Sequence, residues 1–253
     1  MIARRTFLGC ALAAAWTTPT RVLAGKATAL SGDRFRIGDQ DFQLADITAP
    51  SAYDLHNEAA PFFAQSKTVL ARLISEREIV VEDVAPPTRW GLRRVLARFK
   101  GGPTSLQEAL IKAGAARAAP QTENSDFITK ILDAEKIARR RQKGLWALRA
   151  YRVFNADDAA GAVGGYNLVE GLVKSASLAR GRFYLNFGSD FRTDFTVTAQ
   201  AKYYRQWKKA GFSLDRLEGA RLRVRGHVVF INGPSIEVVH PQQIEMIANA
   251  QTG

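Results

Sequence analysis

Residues 31–51 read SGDRFRIGDQDFQLADITAPS, and the short strands and tight turns of this run decide the first half of the chain. Alternating segments at Lys26 to Leu30, Arg34 to Ile37 and Asp41 to Ile47 predict strands. Ser31-Gly32-Asp33 and Gly38-Asp39 supply the turns between them. Downstream, Glu58 to Ile74 carries Phe62, Phe63, Val69, Leu70 and Leu73 at helical spacing. Strand-like runs follow at Ile79 to Val84 and Arg93 to Phe99, then helices at Ser105 to Ala113 and Ser125 to Arg141, the last closing on Gly144-Leu145-Trp146. Strands with one intervening helix and two terminal helices predict a mainly β, α+β domain built on an OB-type barrel, its open end covered by the helices.

Three more segments sharpen this expectation: RWGLRRVLARF at 89–99, SLQEALIKAGAARA at 105–118 and AEKIARRRQKGLW at 134–146. Together with the opening run, and in this order, they resemble the staphylococcal nuclease (thermonuclease) family over roughly Lys26 to Leu148. The order of motifs carries more information than any one of them. The SLQEALIKAG helix and Gly144-Leu145-Trp146 are packing features, so they speak for the fold and not for activity.

In that family two carboxylates hold calcium, a glutamate activates or orients water, and two arginines grip the scissile phosphate. Hard calcium requires oxygen ligands, and guanidinium charge offsets the charge of the transition state. By position, Asp33 matches the first metal carboxylate, while Ser31 and Arg34 stand where the family usually has Asp and Thr. Gln43 takes the place of the first phosphate arginine, Thr48 of the second metal carboxylate, Ser51 of the glutamate and Leu92 of the second arginine. Only Asp33 survives. Asp46 and Arg94, each two residues from a lost position on the same strand face, are the candidate substitutes. No cofactor is expected, and calcium only if the nuclease site is active.

The second half repeats the strand-rich pattern. Ala, Asp and Gly dominate ADDAAGAVGG at 156–165, so residues 151–165 read as a linker between a domain at 25–150 and another at 166–248. Strands are expected at Tyr166 to Ala176, Arg182 to Phe187, Asp194 to Ala199, Ala220 to Ile231 and Ser235 to Val239, and a helix at Lys202 to Ala210. Asn232-Gly233 supplies a hairpin turn. This order predicts a second OB-like β-barrel. RFYLNFGSDFRTDFTV and the run from Arg221 to Ile247 are similar to the C-terminal extension of some bacterial thermonuclease-like proteins. Arg221, Arg223 and Arg225 share one strand face, either a solvated outer face or a phosphate-tracking groove with Tyr184 as a base-stacking candidate. Arg139 and Arg140 on the last helix of the first half extend the candidate nucleic-acid surface. Asp190, Arg192 and Asp194 read as a hairpin turn; His56, His227 and His240 as structural or surface residues; Trp90, Trp146 and Trp207 as packing.

The first residues concern destination. Met1 to Ala24 holds Arg4 and Arg5, an apolar run from Phe7 to Trp16 and no acidic residue. The pattern ARRTFLG resembles a twin-arginine export signal, with cleavage expected after Ala24 and a periplasmic product. Removing the segment takes away Cys10, the one cysteine, so neither disulfides nor thiolate metal sites are expected. It also removes three arginines and no acid, lowering the formal charge from +12 to +9. That surplus points to nucleic acid or another polyanion, and no later stretch is apolar enough to span a membrane, so a soluble product is expected. Three classes of function stay open: a non-catalytic module that binds nucleic acid or another polyanion, a calcium-dependent phosphodiesterase with a rearranged site, and a scaffold for another envelope protein.

Overall fold

The computed structural model describes residues 20–23, 26–53, 58–75, 77–190 and 192–247. Most of the twin-arginine segment, the cleavage point after Ala24, and His56 lie outside the described residues. The first half contains β1 (Thr20–Leu23), β2 (Ala27–Ala29), β3 (Arg34–Ile37), β4 (Gln40–Leu44), β5 (Ile47–Thr48), α1 (Phe63–Ile74), β6 (Ile79–Asp83), β7 (Arg93–Phe99), α2 (Leu106–Lys112), β8 (Arg117–Ala118) and α3 (Ser125–Arg140). The period-two pattern sorts its side chains. Phe35, Phe42, Leu44, Val95 and Ala97 point into the core, while Arg36, Gln43, Arg94 and Arg98 face away from it. Helix α1 starts at Phe63, later than the hydrophobic pattern suggests, because Phe62 adopts a left-handed conformation with φ 70. From α1, Leu70 and Ile74 enter the same core as Ala29 and Phe35.

Two polar devices finish this half. The buried Gln107 amide on α2 donates to the carbonyls of Val95 (3.1 Å) and Ala45 (3.4 Å) and accepts from Ala97 N–H (3.2 Å), bracing β7 against the chain after β4. Gly114 and Gly144 meet backbone to backbone, Leu145 N–H donating to Gly114 O at 2.8 Å. A Cβ on either glycine would fall within 2.2 Å of the other segment's carbonyl oxygen. Both also have positive φ, so these two motif glycines are required by a close approach.

The expected barrel does not form. The strands run in the order β1-β6-β7-β4-β3-β2, and the two ends of that path do not pair with each other. β5, which would carry the ladder round, is only two residues long and pairs with β8 as a separate ribbon, Thr48 opposite Arg117. β1 lengthens the other edge by pairing with β6 from Thr20↔Glu82 to Leu23↔Ile79. Cleavage after Ala24 would remove that strand.

The second half comprises β9 (Phe154–Asn155), β10 (Tyr166–Leu172), β11 (Ser175–Ala179), β12 (Arg182–Asn186), β13 (Thr196–Gln200), α4 (Ala201–Lys209), β14 (Arg221–Phe230), β15 (Pro234–Glu237) and β16 (Ile244–Met246). Its sheet runs β11-β12-β13-β15-β14-β10-β9, with β16 on β14, and it too remains open, with no pairing between β11 and β9. The single strand expected from Tyr166 to Ala176 breaks in two. Val173 N–H bonds Ala220 O and Lys174 N–H bonds Asn186 O, so the chain changes partners there. Nor is 151–165 a bare linker: Phe154, Ala159 and Ala162 are buried in the second core. The mixed α and β architecture is therefore two open sheets with covering helices, not two barrels.

The halves are joined by buried contacts. Ala138, Leu145 and Trp146 pack with Tyr151 and with Leu168 of β10. Beside them Arg225 of β14 donates to Glu135 of α3 at 2.5 Å, with side chains 1% and 0% exposed. Tyr166 hydroxyl donates to Ala118 O at 3.0 Å, and Gln242 reaches Ser125 O and Thr129 on α3.

Candidate functional site

Asp33 sits in the turn before β3 and is buried. Its carboxylate accepts from Ser31 Oγ (2.7 Å) and Ala49 N–H (3.1 Å), which ties the turn to the segment after β5. Burial pushes its pKa up, only partly offset by these donors. Ser51 is also spent locally: its hydroxyl donates to Tyr53 O at 2.7 Å and accepts from Tyr53 N–H at 3.1 Å. Leu92 precedes β7 as part of a turn closed by Thr88. Among the described residues no group of three or more His, Cys, Asp or Glu is placed to hold a metal ion.

Of the two candidate substitutes, Asp46 is fully buried and committed. Its carboxylate accepts from Gln121 N–H (2.8 Å), Thr122 N–H (2.8 Å) and Thr122 Oγ1 (2.6 Å), fastening the loop that leads into α3. Arg94 is exposed and makes no ion pair among the described residues. Strand register sets Gln43 between two arginines, Arg34 on β3 and Arg94 on β7. Arg34 is held loosely, its Nη2 3.7 Å from Asp41. On the loop before β7, Trp90 is 79% exposed with the Arg89 guanidinium 4.4 Å above its ring. It is therefore not a packing residue. Gln40 anchors that loop by donating to Gly91 O at 2.6 Å.

The arginine face of β14 is not open to solvent along its length. Arg225 is sealed against Glu135; burial acts to lower its pKa, but the charge and hydrogen bond of Glu135, with Tyr166 and Glu245, together raise it. Arg223 grips Glu170 through Nε (3.1 Å) and Nη2 (2.6 Å) and reaches Glu245 at 3.4 Å. Only Arg221 is exposed, 3.8 Å from Glu170. Alternation placed the three guanidiniums on one face, but α3 covers it at Arg225, and carboxylates of β10 and β16 hold Arg223. Arg139 lies over Trp146 at 5.9 Å, its guanidinium lowered in pKa by burial, whereas Arg140 is exposed. Tyr184 lines a separate cavity of about 390 Å³ with Arg182, Thr198 and Ile231, away from the β14 arginines. Asp190 and Asp194 close their turn by accepting Arg192 N–H and Asp190 N–H. His240 is buried and caps the turn at 241–243. Burial lowers its pKa, as burial and the Arg117 charge lower that of His227.

A residue that sequence reasoning passed over occupies the junction. Arg117 is 6% exposed, lies opposite Thr48, and stacks on Tyr151 (4.8 Å) and Tyr166 (5.6 Å). Its Nη1 donates to Tyr166 O and to Asn167 Oδ1 (3.2 Å). It has no carboxylate partner among the described residues, and burial pushes its pKa down. With Thr48, Ser51, Tyr53, Tyr151, Arg152 and His227 it lines a cleft of about 480 Å³ between the halves. The only hint in the sequence was one arginine in the otherwise small, apolar run AGAARAAP at 113–120.

No curated protein matches the chain. A family model, Staphylococcal nuclease homologue, matches residues 41–148, a span that begins at β4 and leaves out the Asp33 turn and the whole second half. For that part of its length the chain is similar to the Staphylococcal nuclease homologues.

Proposed function

We propose that the chain is a nuclease-like module that binds single-stranded nucleic acid without calcium-dependent hydrolysis. The observation that carries this reading is the pair Thr48 and Arg117. At the position where the family places its second calcium carboxylate, this chain has a neutral hydroxyl facing a buried guanidinium. A buried guanidinium that no carboxylate touches among the described residues, with Glu135 acting on it only at a distance, disfavours a divalent cation and favours an anion. The remaining carboxylate, Asp33, is already engaged by Ser31 and Ala49.

The strand-binding surface in this reading is the outward face of the first sheet. Arg34 and Arg94 flank Gln43, and Trp90 offers an exposed ring at the rim. Guanidinium groups that follow the backbone, together with a stacking aromatic, form a sequence-tolerant strand platform. Affinity for an oligonucleotide is then expected to fall with salt at a log–log slope of roughly −0.7 per phosphate neutralised. Arg34→Gln with Arg94→Gln should make that slope shallower by about 1.4, at ~0.7 for each lost contact. Trp90→Ala should weaken binding by roughly 1–3 kcal/mol with the slope unchanged, since stacking carries no counterion term. Fluorescence anisotropy across a salt series measures both, and an unchanged slope in the double variant would exclude this face.

A further inference from the structure

The cleft between the halves contains a feature that strand binding on the first sheet does not use. Four arginines in this chain can be compared at the same edge of the guanidinium, the one formed by Nε and Nη2. In Arg36 that edge holds Asp41 (2.5 and 3.1 Å), and in Arg93 it holds Asp83 (2.9 and 2.6 Å). Arg223 places the same edge on Glu170. In Arg117, Nη1 is committed to Tyr166 and Asn167, while Nε is buried and has no acceptor. Among the described residues Nη2 makes no hydrogen bond either, so the edge that elsewhere takes a carboxylate meets none at the most deeply buried of the four. A buried donor left unpaired is costly, and more so when the group is charged. The two tyrosine rings on which the guanidinium lies supply only part of the missing compensation.

The surroundings suit an organic anion. The cleft volume, about 480 Å³, falls within the range of small-molecule sites. Its walls combine apolar surface from Pro50, Ala60, Pro61 and Phe154 with polar groups from Thr48 and Asn167. The charged and titratable side chains lining it are Arg117, Arg152 and His227, together with the tyrosines, and no acid among the described residues lines it. Tyr53 stands at its wall 70% exposed, a ring free to cover a bound molecule.

We propose that this cleft binds a small organic carboxylate, its charge drawn to the Arg117 guanidinium and its apolar body held by Pro50, Tyr53 and Pro61. Guanidinium and carboxylate match as a planar two-bond pair, which supplies orientation as well as attraction. The site is distinct from the outward sheet face, so it tests separately from strand binding.

The experiment is calorimetric titration of the full chain with benzoate, with phenyl phosphate and with benzyl alcohol as the uncharged control. Benzoate is expected to bind, benzyl alcohol not. Arg117→Met should lower benzoate affinity by at least about tenfold, the order expected for one charge-assisted pair. Because a buried arginine is removed in that variant, Ala60→Phe is measured beside it: this variant fills the cleft wall, keeps Arg117, and should lose benzoate to a similar degree. Arg94→Gln should leave benzoate binding unchanged while weakening oligonucleotide binding. Tighter binding of phenyl phosphate than of benzoate would reassign the site to phosphate esters and overturn the carboxylate class. No heat from either anion, or full benzoate affinity in both cleft variants, would overturn the site itself. Loss of oligonucleotide binding alone would count against the sheet face and not against the cleft.

Discussion

At the scale of single residues, the same carboxylates that suggest calcium chemistry in the sequence act as fasteners in the fold. Asp33 ties a turn to Ala49, and Asp46 ties the strand end to the loop before α3. The resemblance proposed Asp33 as a metal carboxylate but could not reveal its burial beside Gly32, which packs against Ser66 of α1. Burial gives a prediction with a definite sign. The folded pKa of Asp33 lies above the reference 3.8, so its contribution to stability is fully present below that pH and is lost as pH rises through the folded value. Asp33→Asn cannot ionise and keeps an oxygen acceptor. It is expected to be more stable than the parent at pH 7 and to lose that advantage below pH 3.8. Urea unfolding at the two pH values measures this, and a variant less stable at pH 7 would show that the ionised carboxylate has a stabilising partner. Arg225 teaches the complementary lesson: its strand face was legible from alternation, its burial under a helix 90 residues earlier in the chain was not.

At the scale of elements, most boundaries were legible because local patterns set them. β3 and β7 fall where alternation put them, and α2 and α3 begin at side-chain caps, Ser105 to Glu108 N–H and Asn124 to Phe127 N–H. Sheet closure was not legible, because it depends on which edges meet, and here the two-residue β5 leaves the ladder for β8. The join between α3 and β14 is the element contact with most at stake. Glu135→Gln leaves buried Arg225 with only the more distant Glu245, 3.6 Å away, and should cost about 3 kcal/mol, the low end for a broken buried pair. Glu135→Leu with Arg225→Met removes both charges and should recover most of that loss. About 1 kcal/mol should remain, because Ala118 N–H loses the Glu135 acceptor it has at 2.8 Å. Urea midpoints of the single and double variants decide it; a double variant as unstable as the single would mean that the pair stabilises the join beyond mutual neutralisation.

At the scale of the whole molecule, two open sheets share an interface sealed by Arg225–Glu135 and lined by buried Arg117. Among the described residues no helix is long and apolar enough to cross a membrane. We propose that the basic chain is exported through its Arg4-Arg5 segment, since that signal is read as an arginine pair; replacing both by Lys should leave an unprocessed precursor in the cytoplasm, and normal processing would rule the route out. Over residues 41–148 the chain is similar to the Staphylococcal nuclease homologues, and we propose that Gln43, Thr48, Ser51 and Leu92 stand in place of the groups with which that family cuts. Losing several such groups removes more than any one restoration returns, because they act as a unit. The most direct test is incubation of the purified chain with single-stranded DNA and RNA, in calcium and in chelator, beside a preparation made identically without it. The predicted result is intact, bound strands and no calcium-dependent cleavage above that control; calcium-stimulated cleavage abolished by Asp33→Ala would contradict it.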